Sequence, residues 1–83
     1  ADLQAKVEAN PANLQARFDL ALALAARDDK AGAVDQLLEI YRRDRNWNDE
    51  AARKQLIQLF DAWGPKDPHT IEGRRRLSSL MFA

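Results

Sequence analysis

The chain has 83 residues, of which 46% are hydrophobic and 31% charged, with a formal net charge of zero and no cysteine. This is the length of one small domain, near the lower limit at which a single core offsets the cost of ordering the chain. The balance argues against disorder and against a global basic field for nucleic acid. The missing thiols exclude disulfide staples, thiolate nucleophiles and cysteine-ligated metal sites.

No apolar run approaches the ~20 residues needed to span a bilayer, and no basic and apolar pair of segments marks a secretory signal. A start at Ala1, without methionine, suggests a piece of a longer protein, and the lack of cysteine fits a reducing cytoplasm.

Three prolines and three glycines punctuate the chain, and between them the apolar spacing has a helical period. The spacing predicts four or five helices and no sheet. A first helix over 2–9 puts Leu3 and Val7 on one face and ends at Asn10-Pro11. A second, from Asn13 or Leu14 to about Arg27, carries Leu14, Phe18, Ala21, Leu22 and Ala25 as one stripe with Leu20 and Leu24 beside it. So wide an apolar surface requires cover on two sides.

Asp28-Asp29-Lys30 reads as a turn, and a third helix, from Ala31 to about Arg45, places Val34, Leu37, Leu38 and Tyr41 at i, i+3, i+4 and i+7, with Ile40 adjoining. Glu39 and Arg43 are spaced for an ion pair. Asn48 or Asp49 is expected to cap a fourth helix with the core stripe Ala52, Leu56, Leu59, Phe60 and Trp63. Asp49 with Arg53 and Glu50 with Lys54 are its expected charge pairs. Gly64-Pro65 stops it. After Asp67-Pro68 a last helix, from about His69 to Leu80, bears Leu77, Leu80 and Met81 on one side. Gly73 inside it costs ~1 kcal/mol against alanine, which points to close approach of another helix.

Leu20, Ala21, Leu24, Ala33, Leu37 and Ile40 fall on the packing positions of the tetratricopeptide repeat, which this segment resembles. The small Ala21 and Ala33 let two helices approach, and the larger residues fill the space between hairpins. The expected fold class is therefore all-α, a right-handed stack of antiparallel tetratricopeptide-like hairpins in a single domain over residues 1–83. In this register residues 1–10 end a preceding repeat, 11–45 form a repeat hairpin closed upstream by Pro11, and 46–83 form a degenerate or capping hairpin. Arg17, Arg45, Lys54 and Gln55 depart from the pattern at its aromatic, closing proline, leucine and glycine positions.

The run Ala52-Arg53-Lys54-Gln55-Leu56, with Leu59-Phe60, Gly64, Asp67-Pro68 and Arg74-Arg75-Arg76-Leu77-Ser78, resembles the C-terminal tetratricopeptide-like region of bacterial thioredoxin-domain co-chaperones, the co-chaperedoxin family. That resemblance, spanning about Asn10 to Phe82, implies a thioredoxin domain N-terminal to Ala1 in the intact protein. It also implies a bacterial cytoplasmic location and partnership with the GroEL-type chaperonin and with unfolded client proteins. Any redox-active cysteine would belong to the thioredoxin domain.

The residues offer no catalytic, metal or cofactor set. His69 is the single histidine, beside Pro68 at a helix start, and reads as a surface residue. Arg74, Arg75 and Arg76 suit carboxylate or phosphate recognition, but consecutive helical residues point about 100° apart, and Glu72 is spaced to pair with Arg76. The mixed run Arg42-Arg43-Asp44-Arg45 reads as a helix end whose cations complement the dipole, and Trp63 as core. Trp47 either staples onto the following helix or stands exposed as an anchor. Leu80, Met81 and Phe82 form an apolar helix end with arginines behind it, which either seals the core or enters a partner's groove. Arg74, Arg75, Leu80, Met81, Phe82 and Trp47 are thus the candidate partner-binding residues. The function expected is non-catalytic protein binding, and the alternative is a module that dimerises or braces a neighbouring thioredoxin domain.

Overall fold

Three of the helices begin where the sequence offers a side-chain oxygen to the first turn. The computed structural model describes residues 2–10 and 12–82, which form α1 (Asp2–Ala9), α2 (Leu14–Ala26), α3 (Lys30–Arg43), α4 (Trp47–Trp63) and α5 (Pro68–Met81). Asn13 Oδ1 accepts from the Ala16 amide at 3.1 Å, Asp29 Oδ1 from Gly32 at 3.0 Å and Asp67 Oδ1 from His69 at 2.8 Å. Each bond satisfies an amide that has no partner within its helix. Pro68 at the start of α5 removes a further unpaired donor. The expectations placed on the Leu3 side chain and on Pro11 lie outside the described residues.

The start of α4 departs from expectation. Neither Asn48 nor Asp49 caps it, because Asn46 occupies the cap position and makes no side-chain bond to the helix. Asn48, Asp49 and Glu50 instead adopt left-handed backbone, with φ of 50°, 58° and 60°. This turn shifts the charge pairing by one residue each way. Glu50 accepts from Arg53 and Asp49 from Lys54, both at 3.0 Å, in place of the expected Asp49–Arg53 and Glu50–Lys54 pairs. At the other end of α4, Gly64 has φ of 94°, a value that favours a residue without Cβ.

α3 lies at the centre, packed by α2, α4 and α5, while α1 packs on α2. Its buried residues Val34, Leu37, Leu38, Ile40 and Tyr41 join Ala21, Ala52, Leu56, Phe60 and Leu77 in the main core. A smaller cluster holds Val7, Ala16, Leu20, Leu24 and Ala33. Every residue assigned to a repeat packing position is buried, with Ala21, Ala33, Leu37 and Ile40 at 0% exposure. The small side chains of Ala21 and Ala33, both fully buried, let α2 and α3 pack closely. Leu22, expected in the α2 stripe, is instead 39% exposed, and Ala16 takes the inward position.

Cross-helix contacts give the directions. Lys30 bonds Asp67 and Asp35 bonds Arg76, so numbers rise together along α3 and α5 and the two run parallel. Phe60 meets Gly73 and Trp63 meets His69, so α4 and α5 run antiparallel. A Cβ on Gly73 would lie 2.6 Å from Phe60 Cε1, the close approach that glycine inside α5 indicates. The molecule is flat, with extents of 35 × 29 × 17 Å, less than two full helix diameters in its thinnest direction.

Candidate binding groove

The parallel course of α3 and α5 leaves a groove of about 270 Å³ between them, lined by Asp35, Leu38, Glu39, Arg42, Arg75, Arg76, Ser79 and Leu80. Helical spacing puts each wall in place. On α3, Asp35, Glu39 and Arg42 recur at i, i+4 and i+7, one turn of surface after another beside the buried Leu38. On α5, Leu77 is drawn into the core and Leu80 half-buried beside it, which turns Arg76 and Ser79 toward α3.

The polar rim is internally paired. Glu39 accepts from Arg42 Nε at 3.0 Å and from Arg43 Nε at 2.6 Å. The Arg42 hydrogen bond, reinforced by that of Arg43, holds the Glu39 carboxyl well below the usual range, at about 2. Arg76 crosses the groove to Asp35 at 2.7 Å, not to Glu72 as its spacing suggested. Glu72 pairs with Arg75, whose hydrogen bond lowers its carboxyl pKa. Outside the groove, Arg45 reaches the Leu80 carbonyl at 3.1 Å, tying the end of α3 to the end of α5.

Of the candidate binding residues, the fold brings Arg75 and Leu80 together at this groove. Met81 and Phe82 adjoin it at the end of α5, 40% and 85% exposed, so the tail does not seal the core beyond Leu80. Arg74 is turned away, over the Phe60 ring at 5.6 Å and near Asp61. Trp47 packs half-buried against Phe18, with ring centroids 5.6 Å apart, on the side of the molecule that carries α2. Asp35 is a groove residue that sequence reasoning did not name, and Arg42 and Arg76, which it read as helix-end and solvated charge, also line the groove. Their convergence depends on the parallel pairing of α3 with α5, which no local spacing reports.

A second cluster stands at the other end of α5. Lys30 Nζ bonds Asp67 Oδ2 at 2.7 Å and sits 5.5 Å from the centre of the Trp63 ring. The Lys30 hydrogen bond, with those from the His69 amide and ring, holds the Asp67 carboxyl down to about 2. His69 meets the Trp63 ring edge-on at 6.5 Å and stays exposed. This cluster clasps the starts of α3 and α5. Among the described residues, no group of three or more His, Asp or Glu side chains converges to hold a metal, and no helix is long and apolar enough to cross a membrane.

A family model described as the tetratricopeptide repeat matches residues 1–82. Uncharacterized proteins of Mycobacterium bovis and of two strains of Mycobacterium tuberculosis are each 29% identical over 70 residues, covering 84% of this chain and 23% of their own length. The chain thus spans less than a quarter of those relatives. No solved structure matches it.

Proposed function

This chain belongs to the tetratricopeptide repeat family, and from that premise we propose that it is the protein-binding domain of a thioredoxin-like bacterial co-chaperone, docking onto a GroEL-type chaperonin or unfolded clients. Repeats of this kind generally mediate contacts between proteins, because stacked hairpins leave continuous surfaces that neighbouring units do not cover. The observation that carries the reading is the exposed apolar end of α5, Met81 and Phe82, set beside a groove with leucine and arginine in its walls. A contiguous exposed apolar patch rimmed by polar residues is the usual mark of an interaction site, and Met81 and Phe82 extend the apolar lining of the groove in that way.

The finer assignment is supported by the likeness of the Ala52–Leu56 run, Gly64, Asp67-Pro68 and the arginine triplet to the co-chaperedoxin family. The length of the relatives outside the match leaves room for a further domain, such as a thioredoxin fold. In this reading residues 1–10 end one repeat, 11–45 form the next and 46–83 form the degenerate or capping hairpin. Cytoplasmic placement is part of the same proposal.

The test is binding of the full chain to purified GroEL-type chaperonin by biolayer interferometry, beside a Met81→Ser/Phe82→Ser variant. Both positions are exposed, so the variant keeps the fold. The variant is expected to bind at least tenfold more weakly. Equal affinity removes the tail from the mechanism, and absence of binding by the unmodified chain removes the chaperonin.

A further inference from the structure

We propose that the groove between α3 and α5 receives a short peptide in which leucine-like side chains are flanked by carboxylates. The inference rests on the protein-binding reading and adds the chemistry of the occupant.

The charge on this face does not cancel. Arg42, Arg43, Arg75 and Arg76 stand against Asp35, Glu39 and Glu72, a surplus of one positive charge in a chain whose formal net charge is zero. The hydrogen-bonding capacities are also uneven. Arg42 and Arg75 each spend Nε and Nη2 on one glutamate, and Arg76 spends Nη1 on Asp35. A guanidinium carries five N–H donors in a fork, so each keeps donors beyond these bonds, whereas Glu39 already serves two arginines. These arginine side chains are 58%, 67% and 42% exposed, open to a second acceptor. An incoming carboxylate finds unspent donors and a surplus of positive charge, whereas an incoming lysine meets carboxylates that already pair with arginines.

The apolar part sets the remaining requirement. Leu38 and Leu80 are the hydrophobic lining among the described residues, between the two charged walls. At about 270 Å³ the groove has room for a few side chains of a peptide. An apolar side chain over the leucines with a carboxylate on either side satisfies the floor and the rim at once.

The probe is a fluorescein-labelled nine-residue peptide of alternating leucine and glutamate, titrated with the full chain and followed by fluorescence anisotropy. Two control peptides replace glutamate by lysine or leucine by serine. Saturable binding is expected for the first peptide only, weakening about tenfold in Arg42→Gln/Arg75→Gln and about fivefold in Leu80→Ser, with Lys54→Gln unchanged. Affinity falls as salt rises, because the charges are exposed and screened. Amide shifts on labelled protein are expected at 35–42 and 75–80. Helical content from circular dichroism checks each variant, and Arg75→Gln alone, at a solvated position, serves if the double variant unfolds. Equal binding of the lysine peptide, affinity unchanged in the arginine variants, shifts confined to α2 and α4, or no saturation below millimolar peptide each overturns the proposal. Chaperonin binding measured in parallel separates the two readings: if the chaperonin binds and the peptide does not, only this inference falls.

Discussion

At residue 73 two preferences oppose each other. Alanine is favoured over glycine inside a helix by ~1 kcal/mol, yet its Cβ would lie 2.6 Å from a ring that is 1% exposed. Phe60 cannot yield without moving its own neighbours, and overpacking of a close-packed site costs ~1–3 kcal/mol. The clash outweighs the propensity. Gly73→Ala is therefore expected to lower stability by ~1 kcal/mol in urea denaturation, and Gly73→Ala with Phe60→Leu to recover part of the loss. Thr70 presents the opposite case. It is fully buried and its hydroxyl has no hydrogen-bond partner among the described residues, so the group bears a desolvation cost of ~1–3 kcal/mol with no return. Thr70→Val keeps the shape and removes the hydroxyl, and is expected to raise the thermal midpoint; a fall would mean the hydroxyl has a partner. Glycine in the sequence already signalled close approach at 73. No signal marked Thr70, because whether a threonine faces core or water depends on which side of α5 meets α3 and α4.

At the scale of an element, the start of α4 shows where local reasoning ends. The dipeptide Asn48-Asp49 before an apolar stripe has the composition of a helix cap, but the chain there turns left-handed for three residues. Left-handed backbone costs non-glycine residues roughly 1–2 kcal/mol each, Asn and Asp less than others. Such a turn is held by its surroundings: Trp47 packs on Phe18 at one end, and Glu50 and Asp49 bond Arg53 and Lys54 at the other. The consequence reverses an ordinary ranking. In a right-handed helix Asp49→Ala is more stable than Asp49→Gly by ~1 kcal/mol; here glycine is expected to exceed alanine by about as much, as read from denaturation midpoints of the two variants. The other elements were legible because their apolar stripes and the turns between them are local. Asn13 and Asp67 act as single-turn devices, and the α3 stripe from Val34 to Tyr41 is buried as its spacing requires.

At the scale of the molecule, stability depends on paired carboxylates, one of which joins two helices. Asp67 links α5 to Lys30 of α3, and its pKa is held down to about 2 from an ordinary 3.8. Glu39, bonded to Arg42 and Arg43, is likewise held to about 2 from 4.5. Both values are depressed in the folded state, so the unfolded chain binds more protons between these limits. The stabilisation is complete above about pH 5 and is lost as pH falls from about 4.5 through about 2. Thermal midpoints by circular dichroism are expected to decline across that window, and less steeply in Asp67→Asn, which has already lost the ionisable group. A slope unchanged in that variant would remove Asp67 from the account.

Composition and periodicity by themselves determined the all-helical class, a count of four or five helices, the small residues that let α2 and α3 meet, and the meaning of Gly73. These are consequences of backbone geometry and side-chain size within one or two turns, which sequence records directly. Tertiary structure alone decided that α5 lies parallel to α3, that Arg76 bonds Asp35 in place of Glu72, and that Arg75 and Leu80 share a groove while Arg74 and Trp47 face elsewhere. The physical reason is that these contacts join residues some forty positions apart. Which of several near-equivalent partners an arginine takes is then chosen by how the helices pack, and not by the residues beside it in the chain.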